Sequence, residues 1–338
     1  LGRVDDQTSN SDFEPEEQKR KSSIQNAILP CIYEETKINV IDSPGYFDFR
    51  SEMISALSVA DIAVIVISAT SGIEVGASQA WEICEKASIP RIIVVNKLDR
   101  ESTDYVKIVD EIQSKWGRKC LPVQTIDGNG TAFSKTNSLV SAKLSNVPAK
   151  WKENFDEMLA ESDDSLIEKY IEGEELVEDE LKSAITKSVC ESFVYPIVFC
   201  SALKEIGISD LMILIKDSAP NPLTNREKVS GQSNFVFKTN ADPFVGKLTY
   251  VKINGDSMTS DNHVWNVNKN VGERFGQLFV PSGKEQVPIS SLSTGDIGVI
   301  SKLSETQTYD TLGEKGKTET IEPPDLPEPS FSLAVSPK

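Results

Sequence analysis

Histidine is almost absent from this 338-residue chain: His263 is the only one. That excludes a two-histidine metal site, and a Ser-His-Asp triad built on any other histidine. The five cysteines, Cys31, Cys84, Cys120, Cys190 and Cys200, are scattered without a CxxC pair. They read as reduced thiols rather than a zinc site or a disulfide frame. Positive charge is scarce too, since 35 Lys and Arg against 52 Asp and Glu leave a net charge of −17. Such a chain repels nucleic-acid backbones, so DNA binding is not expected and any contact with RNA needs a local patch or protein partners. No apolar run approaches the roughly 18 residues that cross a bilayer, so no membrane role is expected. The chain opens on Leu1 rather than methionine with no signal sequence ahead of it, and is expected to begin inside a longer protein.

What is present is ordinary for a soluble globular protein: 38% hydrophobic and 26% charged residues. Four apolar runs, KINVID (37–42), DIAVIVISA (61–69), RIIVVNK (91–97) and PIVFCSA (196–202), read as strands. Their β-branched content without alternation suits parallel strands covered on both faces. Between them, GASQAWEICEKASIP, YVKIVDEIQSKWGRK and the segment around EGEELVEDELKSAITKSV read as helices. In the last, Leu181, Ala184, Ile185 and Val189 fall on one face and acids on the other. The alternation predicts an open α/β sheet. After a Pro-, Asn- and Ser-rich stretch at 218–234, short turn-punctuated runs from Phe235 to about residue 311 predict an all-β barrel, followed by a proline-rich connector.

Ligands of open α/β sheets bind beyond the carboxyl ends of the strands. There the first run delivers Asp42-Ser43-Pro44-Gly45, the third Asn96-Lys97-Leu98-Asp99 and the fourth Ser201-Ala202-Leu203. These have the form and order of the DxxG, NKxD and SA elements of a guanine-nucleotide site. A carboxylate at a strand tip can hold magnesium through water, and a glycine lets its N–H approach a terminal phosphate. Asp99 can accept from guanine's ring N–H and amine, Asn96 can support the base, the Lys97 stem can lie over the purine, and Ser201-Ala202 can offer an N–H to the guanine carbonyl.

With those motifs in hand, the chain resembles translational GTPases of the elongation factor G family, and the likeness covers nearly all of it. SEMISALSVADIAVIVISATSGIEVGASQAWEICEKASIPRIIVVNKLDR resembles that family's stretch from DxPG to NKxD, and LIEKYIEGEELVEDEL resembles its insertion. EEQKRKSSI resembles switch I, with Ser23 where the family has a magnesium-binding Thr, a change that keeps the hydroxyl. The resemblance implies a P-loop-NTPase-type parallel-sheet domain over 1–219 with an insertion at about 127–190. A linker at 220–234, a barrel at 235–320, and a connector with the first strand of a third domain at 321–338 would follow. It implies GTP/GDP and Mg2+ as ligands, Ser23 and Asp42 at the metal, and Asn96, Lys97, Asp99, Ser201, Ala202 and Leu203 at the base. Gly45 and Tyr46 are then the catalytic positions, on a monomer that hydrolyses GTP on the ribosome, meeting rRNA and ribosomal proteins. A bacterial cytoplasmic setting fits, as does an organelle after loss of a transit peptide.

Two departures qualify this. Where the family's DxPGH turn has a histidine that positions the attacking water, this chain has Tyr46. With an unperturbed pKa of about 10, tyrosine stays neutral and can orient water but supplies no positive charge. DxPGY followed by Asp-Phe resembles a divergent elongation-factor-G-like subclass. Secondly, no GxxxxGK[ST] phosphate loop exists: in GEKGKT (313–318), Thr311 stands where the first glycine belongs. Losing three or four phosphate contacts at about 1.5–3 kcal/mol each would weaken nucleotide binding more than a thousandfold. Either the loop lies upstream of Leu1, which the persistence of every other element favours, or the chain binds GTP poorly. The rival readings are a ribosome-binding factor with weak or no GTPase activity, and a ribosomal-protection type of GTPase.

Overall fold

The computed structural model describes residues 2–4, 6–140, 147–174, 176–223, 233–242, 245–260, 262–328 and 332–336. The chain divides into two compact units, one made of residues 1–30, 39–59 and 225–338, the other of 31–38 and 60–224.

Helix α1 (Pro15–Arg20) leads into strands β1 (Ala27–Tyr33) and β2 (Thr36–Asp42). β2 is the KINVID run, expected in the parallel sheet. Instead, among the described residues it pairs with β1 alone, as a two-stranded ribbon closed over two residues, and it is half-buried except at exposed Lys37 and Val40. Its ladder is satisfied locally, so it needs no place in the larger sheet. The DxPG turn and a 3-10 turn at Phe47–Phe49 follow, then α2 (Arg50–Leu57).

The parallel sheet is built from β3 (Ala63–Ser68), β4 (Arg91–Asn96), β5 (Cys120–Pro122) and β8 (Tyr195–Phe199), in the order β3-β4-β8-β5. Along the chain it is interleaved with α3 (Val75–Lys86), α4 (Tyr105–Trp116), the antiparallel hairpin β6 (Gln124–Asp127) and β7 (Lys135–Ser138), α5 (Ala149–Ala160), α6 (Asp164–Glu172) and α7 (Glu178–Cys190); α8 (Ile208–Ser218) follows β8. Central β4 shows why its sequence runs apolar without alternation. Ile93 and Val95 face a core with Trp81, Ile108, Ile112 and Phe199, while Ile92 and Val94 face a second core with Phe155, Leu181, Ile185 and Val189. Edge strand β3 is covered on one face only, since Ile65 and Ile67 are buried but Val64 and Val66 are exposed, against the expectation of two covered faces. α4 starts where the Asp104 carboxylate accepts the Lys107 N–H at 3.2 Å and ends at Gly117, whose φ of +97° suits glycine. Trp81 and Trp116 stack at 4.4 Å as packing residues.

The last module is all antiparallel: β9 (Asn234–Asp242), β10 (Gly246–Lys252), β11 (Met258–Thr259), β12 (His263–Asn266), β13 (Val271–Arg274), β14 (Leu278–Ser282), β15 (Glu285–Ile289), β16 (Ser291–Leu292), β17 (Ile297–Ser301) and β18 (Thr311–Gly313). Its eight-stranded sheet runs β13-β12-β18-β9-β10-β17-β14-β15, and the β11–β16 ribbon adds Met258 and Leu292 to the same core. Among the described residues the ladder does not close from β13 to β15 as a full barrel would. A second core joins Phe235, Phe237, Leu248 and Val299 to Ile28, Ile41 and Val59, which is what draws residues 1–30 and 39–59 into this unit. His263 is exposed on β12 opposite Arg274. Most of the linker, 224–232, lies outside the described residues, and no strand is assigned among those described from 321 to 336.

Candidate functional site

The residues expected to read the base sit at the carboxyl end of β4 and just after β8, which are hydrogen-bonded neighbours. Leu98, fully buried in the core, anchors the Asn96–Asp99 loop from beneath, and Lys97 turns it with a φ of +65°. Asn96 Oδ1 accepts the Lys97 N–H at 2.7 Å and the Ala202 N–H at 3.0 Å, tying the two loops together. A second tie runs between the same loops: Ser201 donates its hydroxyl to Asp99 Oδ1 at 2.6 Å and accepts the Lys204 N–H at 3.1 Å. Asp99 Oδ2 makes no hydrogen bond among the described residues, and each carboxylate oxygen has room for more than one donor. Asp99 therefore retains the acceptors that two guanine N–H groups require. Lys97 and Leu203 are exposed, as groups that cover a base must be. Burial and the Asp99 charge push the Cys200 thiol up to about 12, so it is an inert packing group.

One detail differs from the expectation for Ser201-Ala202. The Ala202 N–H is committed to Asn96, and Ser201 N–H bonds the Ile206 carbonyl at 3.0 Å. Of this tripeptide, Leu203 carries the N–H with no acceptor among the described residues. It is the donor free to meet a carbonyl on a ligand.

Asp42, Ser43, Gly45 and Tyr46 follow directly from β2, with Ser23 on the loop after α1. Burial raises the Asp42 carboxyl pKa, the Ser11 hydroxyl bonded to it works the other way, and the charges of Asp12 and Glu17 raise it further. Ser23 donates to Asp12 Oδ1 at 2.7 Å, and the Ser43 hydroxyl is buried without a hydrogen-bond partner. Glu17, fully buried, organises the loop that carries Ser23: its Oε1 accepts the Ile24 and Gln25 N–H groups at 2.9 and 3.1 Å. Nothing blocks the approach to Gly45, where an added Cβ would meet no atom within 4 Å. Tyr46 is 64% exposed, capping the turn with its carbonyl rather than packing its ring.

The donors here are all hard oxygens, with excess negative charge and an unpartnered hydroxyl. That fits a small divalent cation bound by one or two protein groups, with phosphate and water completing its shell. Among the described residues no group of three or more His, Cys, Asp or Glu could hold a metal by itself. Asp12 and Glu17 escaped sequence reasoning because they read as members of a charged, solvated run.

A parallel α/β sheet whose two adjacent strand ends carry interlocked base-reading loops defines a nucleotide-binding domain of the GTPase type. The elongation factor Tu GTP-binding domain model matches residues 2–221, and the chain belongs to that family of translational GTPases, whose ligands are GTP and GDP. The chain is also similar to a protein of Thermus thermophilus known from its crystal structure, with 27% identity and a TM-score of 0.84 over 97% of this chain. It spans about half of that protein's length, 52%.

Proposed function

We propose that this chain is the nucleotide-binding and GTP-hydrolysing portion of a translation factor of the elongation factor G type, working with Mg2+ on the ribosome. The observation that carries the proposal is the double tie between the base-reading loops, Asn96 to Ala202 and Ser201 to Asp99, which leaves Asp99 able to take guanine's N–H groups. The long interval from Asp99 to Ser201, filled by α5 to α7, and the all-β module that follows support the G type in particular. Within that type, the Asp42–Tyr46 turn is the residue-level support for the divergent subclass. A monomer in the bacterial cytoplasm is the simplest setting.

Phosphoryl transfer of this kind is positioning and electrostatics. Asp42 and Ser23 would hold Mg2+, which neutralises phosphate charge when bound. Gly45 would offer its N–H to the terminal phosphate, and Tyr46 would orient a water. Asp99→Asn in the full-length protein is expected to weaken GDP binding by at least about a hundredfold, the value of two charge-assisted hydrogen bonds, and to favour xanthine nucleotide. Unchanged GDP affinity would sink the base-reading assignment.

Tyr46 favours a second reading, a ribosome-binding factor with little hydrolysis, because an exposed phenol has no positive charge to give the transition state. Single-turnover GTP hydrolysis with and without ribosomes separates the two: stimulation supports the enzyme, and its absence supports the binding factor.

A further inference from the structure

We infer that the β6–β7 hairpin and its turn, residues 124–138, are a positioning brace for both base-reading loops, with Lys204 and Asn129 as its working contacts. The inference rests on the guanine-site reading above and adds the residues that set the site's rigidity. Buried Leu98 and Ser201 root the two loops in the domain, while Lys97, Ala202 and Leu203 are exposed. The hairpin adds polar contacts on the exposed side.

On one side, Thr103, which follows the Asn96–Asp99 loop, has three acceptors around its single hydroxyl hydrogen: the Arg100 carbonyl at 3.2 Å, and the Leu98 carbonyl and Asn129 Oδ1 at 3.3 Å each. Gly130 comes so near that an added Cβ would lie 3.1 Å from the Arg100 carbonyl. On the other side, Lys204, directly after Ser201-Ala202-Leu203, reaches the carbonyls of Thr131 at 3.0 Å and Phe133 at 3.5 Å. Phe133 is itself buried in the core beside Leu98 and Phe199, so the hairpin is a rooted support rather than a floating loop. At its base, Gln124 accepts the Phe199 N–H at 3.0 Å and donates to Asp210 at 2.8 Å, fixing the strand that launches the second loop.

The two contacts brace different parts of the base. Lys204 holds the loop whose Leu203 N–H is available, and Asn129 contacts Thr103, just after the loop that carries Asp99. Their removal should therefore leave different signatures, which a general loss of stability would not. In the full-length protein, Lys204→Met is expected to weaken GDP about tenfold, the worth of one charged hydrogen bond, mainly through faster release. It should weaken inosine diphosphate equally, and Lys204→Arg should restore both. Asn129→Ala should instead lower the preference for GDP over inosine diphosphate, because the exocyclic amine is read by Asp99. Hydrogen exchange at the amides of 201–204 without nucleotide should quicken in Lys204→Met.

Wild-type protein that binds no GDP would defeat the proposed function, and the exchange measurement would still judge the brace. Wild-type binding with neither variant moved more than about twofold, or unchanged exchange at 201–204, would overturn the brace. So would equal losses for both nucleotides in both variants accompanied by a matching fall in Tm.

Discussion

Asn96 and Asp99 direct their side-chain oxygens to neighbouring loops, whereas Asp42 lies among other acids, beside an unpartnered Ser43 hydroxyl. The first corner is tied together within the folded chain. The second gathers acidic side chains around Asp42. The difference follows from what supports each. Asn96 and Ser201 come off adjacent strands, each buried between two apolar cores, so their positions are set by packing. Asp42 comes off a partly exposed ribbon, and the segments around it combine an apolar contact through Ile28, Ile41 and Val59 with polar contacts of Lys238 and Glu52. On the proposed reading, this contrast matches a nucleotide switch, in which γ-phosphate contacts order the switch loops and hydrolysis releases them.

The largest test of this contrast removes the rigidity behind the base corner. Arg91, buried at the start of β4, lies against both the Trp81 and Tyr195 rings, 4.2 and 4.4 Å from their centroids. It donates to the Trp81 carbonyl at 2.8 Å and the Tyr195 hydroxyl at 3.1 Å. Arg91→Ala is expected to cost about 3–5 kcal/mol in chemical denaturation, as for breaking up a buried charged group's contacts. Arg91→Lys should recover only part, since an ammonium lacks the fork that serves both acceptors. If Ala costs under about 1 kcal/mol, the core is not what stiffens this corner.

A smaller effect is expected on the other side, from Lys238 of β9. It donates to Gln25 Oε1 at 3.0 Å and to the Asn26 carbonyl at 2.8 Å, with Glu52 3.8 Å away. The stretch bearing Ser23 and the helix after Tyr46 are thereby clasped to one strand. Lys238→Ala is expected to cost about 2–3 kcal/mol, leaving Glu52 and the Asn26 carbonyl short of a donor. Hydrogen exchange should quicken at residues 24–26 and 52–55 but not at 96–99. Uniform acceleration would erase the distinction between the corners.

The sequence made one corner far more legible than the other, for a physical reason. NKLD after RIIVV combines local motif with local pattern, so strand, loop and role are read from the same few residues. The helical face of Leu181, Ala184, Ile185 and Val189 is legible in the same way, and all four are buried. Lys238 in FVFKTN reads as an ordinary solvent-facing lysine, and Glu17 as one acid among several. Their partners lie on other elements, and no local period encodes them. KINVID was misread for the same reason. Its apolar run is real, but which strand it pairs with is a non-local choice, made by Ala27–Tyr33. The hairpin at 124–138 likewise gives no local sign that it touches both base-reading loops.

The smallest effect is the most pointed. A carboxyl whose pKa is raised in the folded state favours folding when protonated, fully so below the unfolded value, and that contribution is lost as pH rises through the folded value. For Asp42 the causes are burial and the nearby charges of Asp12 and Glu17. At neutral pH without nucleotide the ionised group therefore strains the fold, and Asp42→Asn is expected to raise stability. The gain should shrink as pH falls through the carboxylate range, where the wild-type side chain becomes neutral as well. With GTP and Mg2+ present the sign should reverse, because the wild-type charge then meets a cation and the amide cannot replace it. Denaturation curves of both proteins at two pH values, with and without nucleotide, read all of this. A mutant less stable than wild type without nucleotide at neutral pH would mean that Asp42 is already satisfied by the protein, and that the two corners are equally complete.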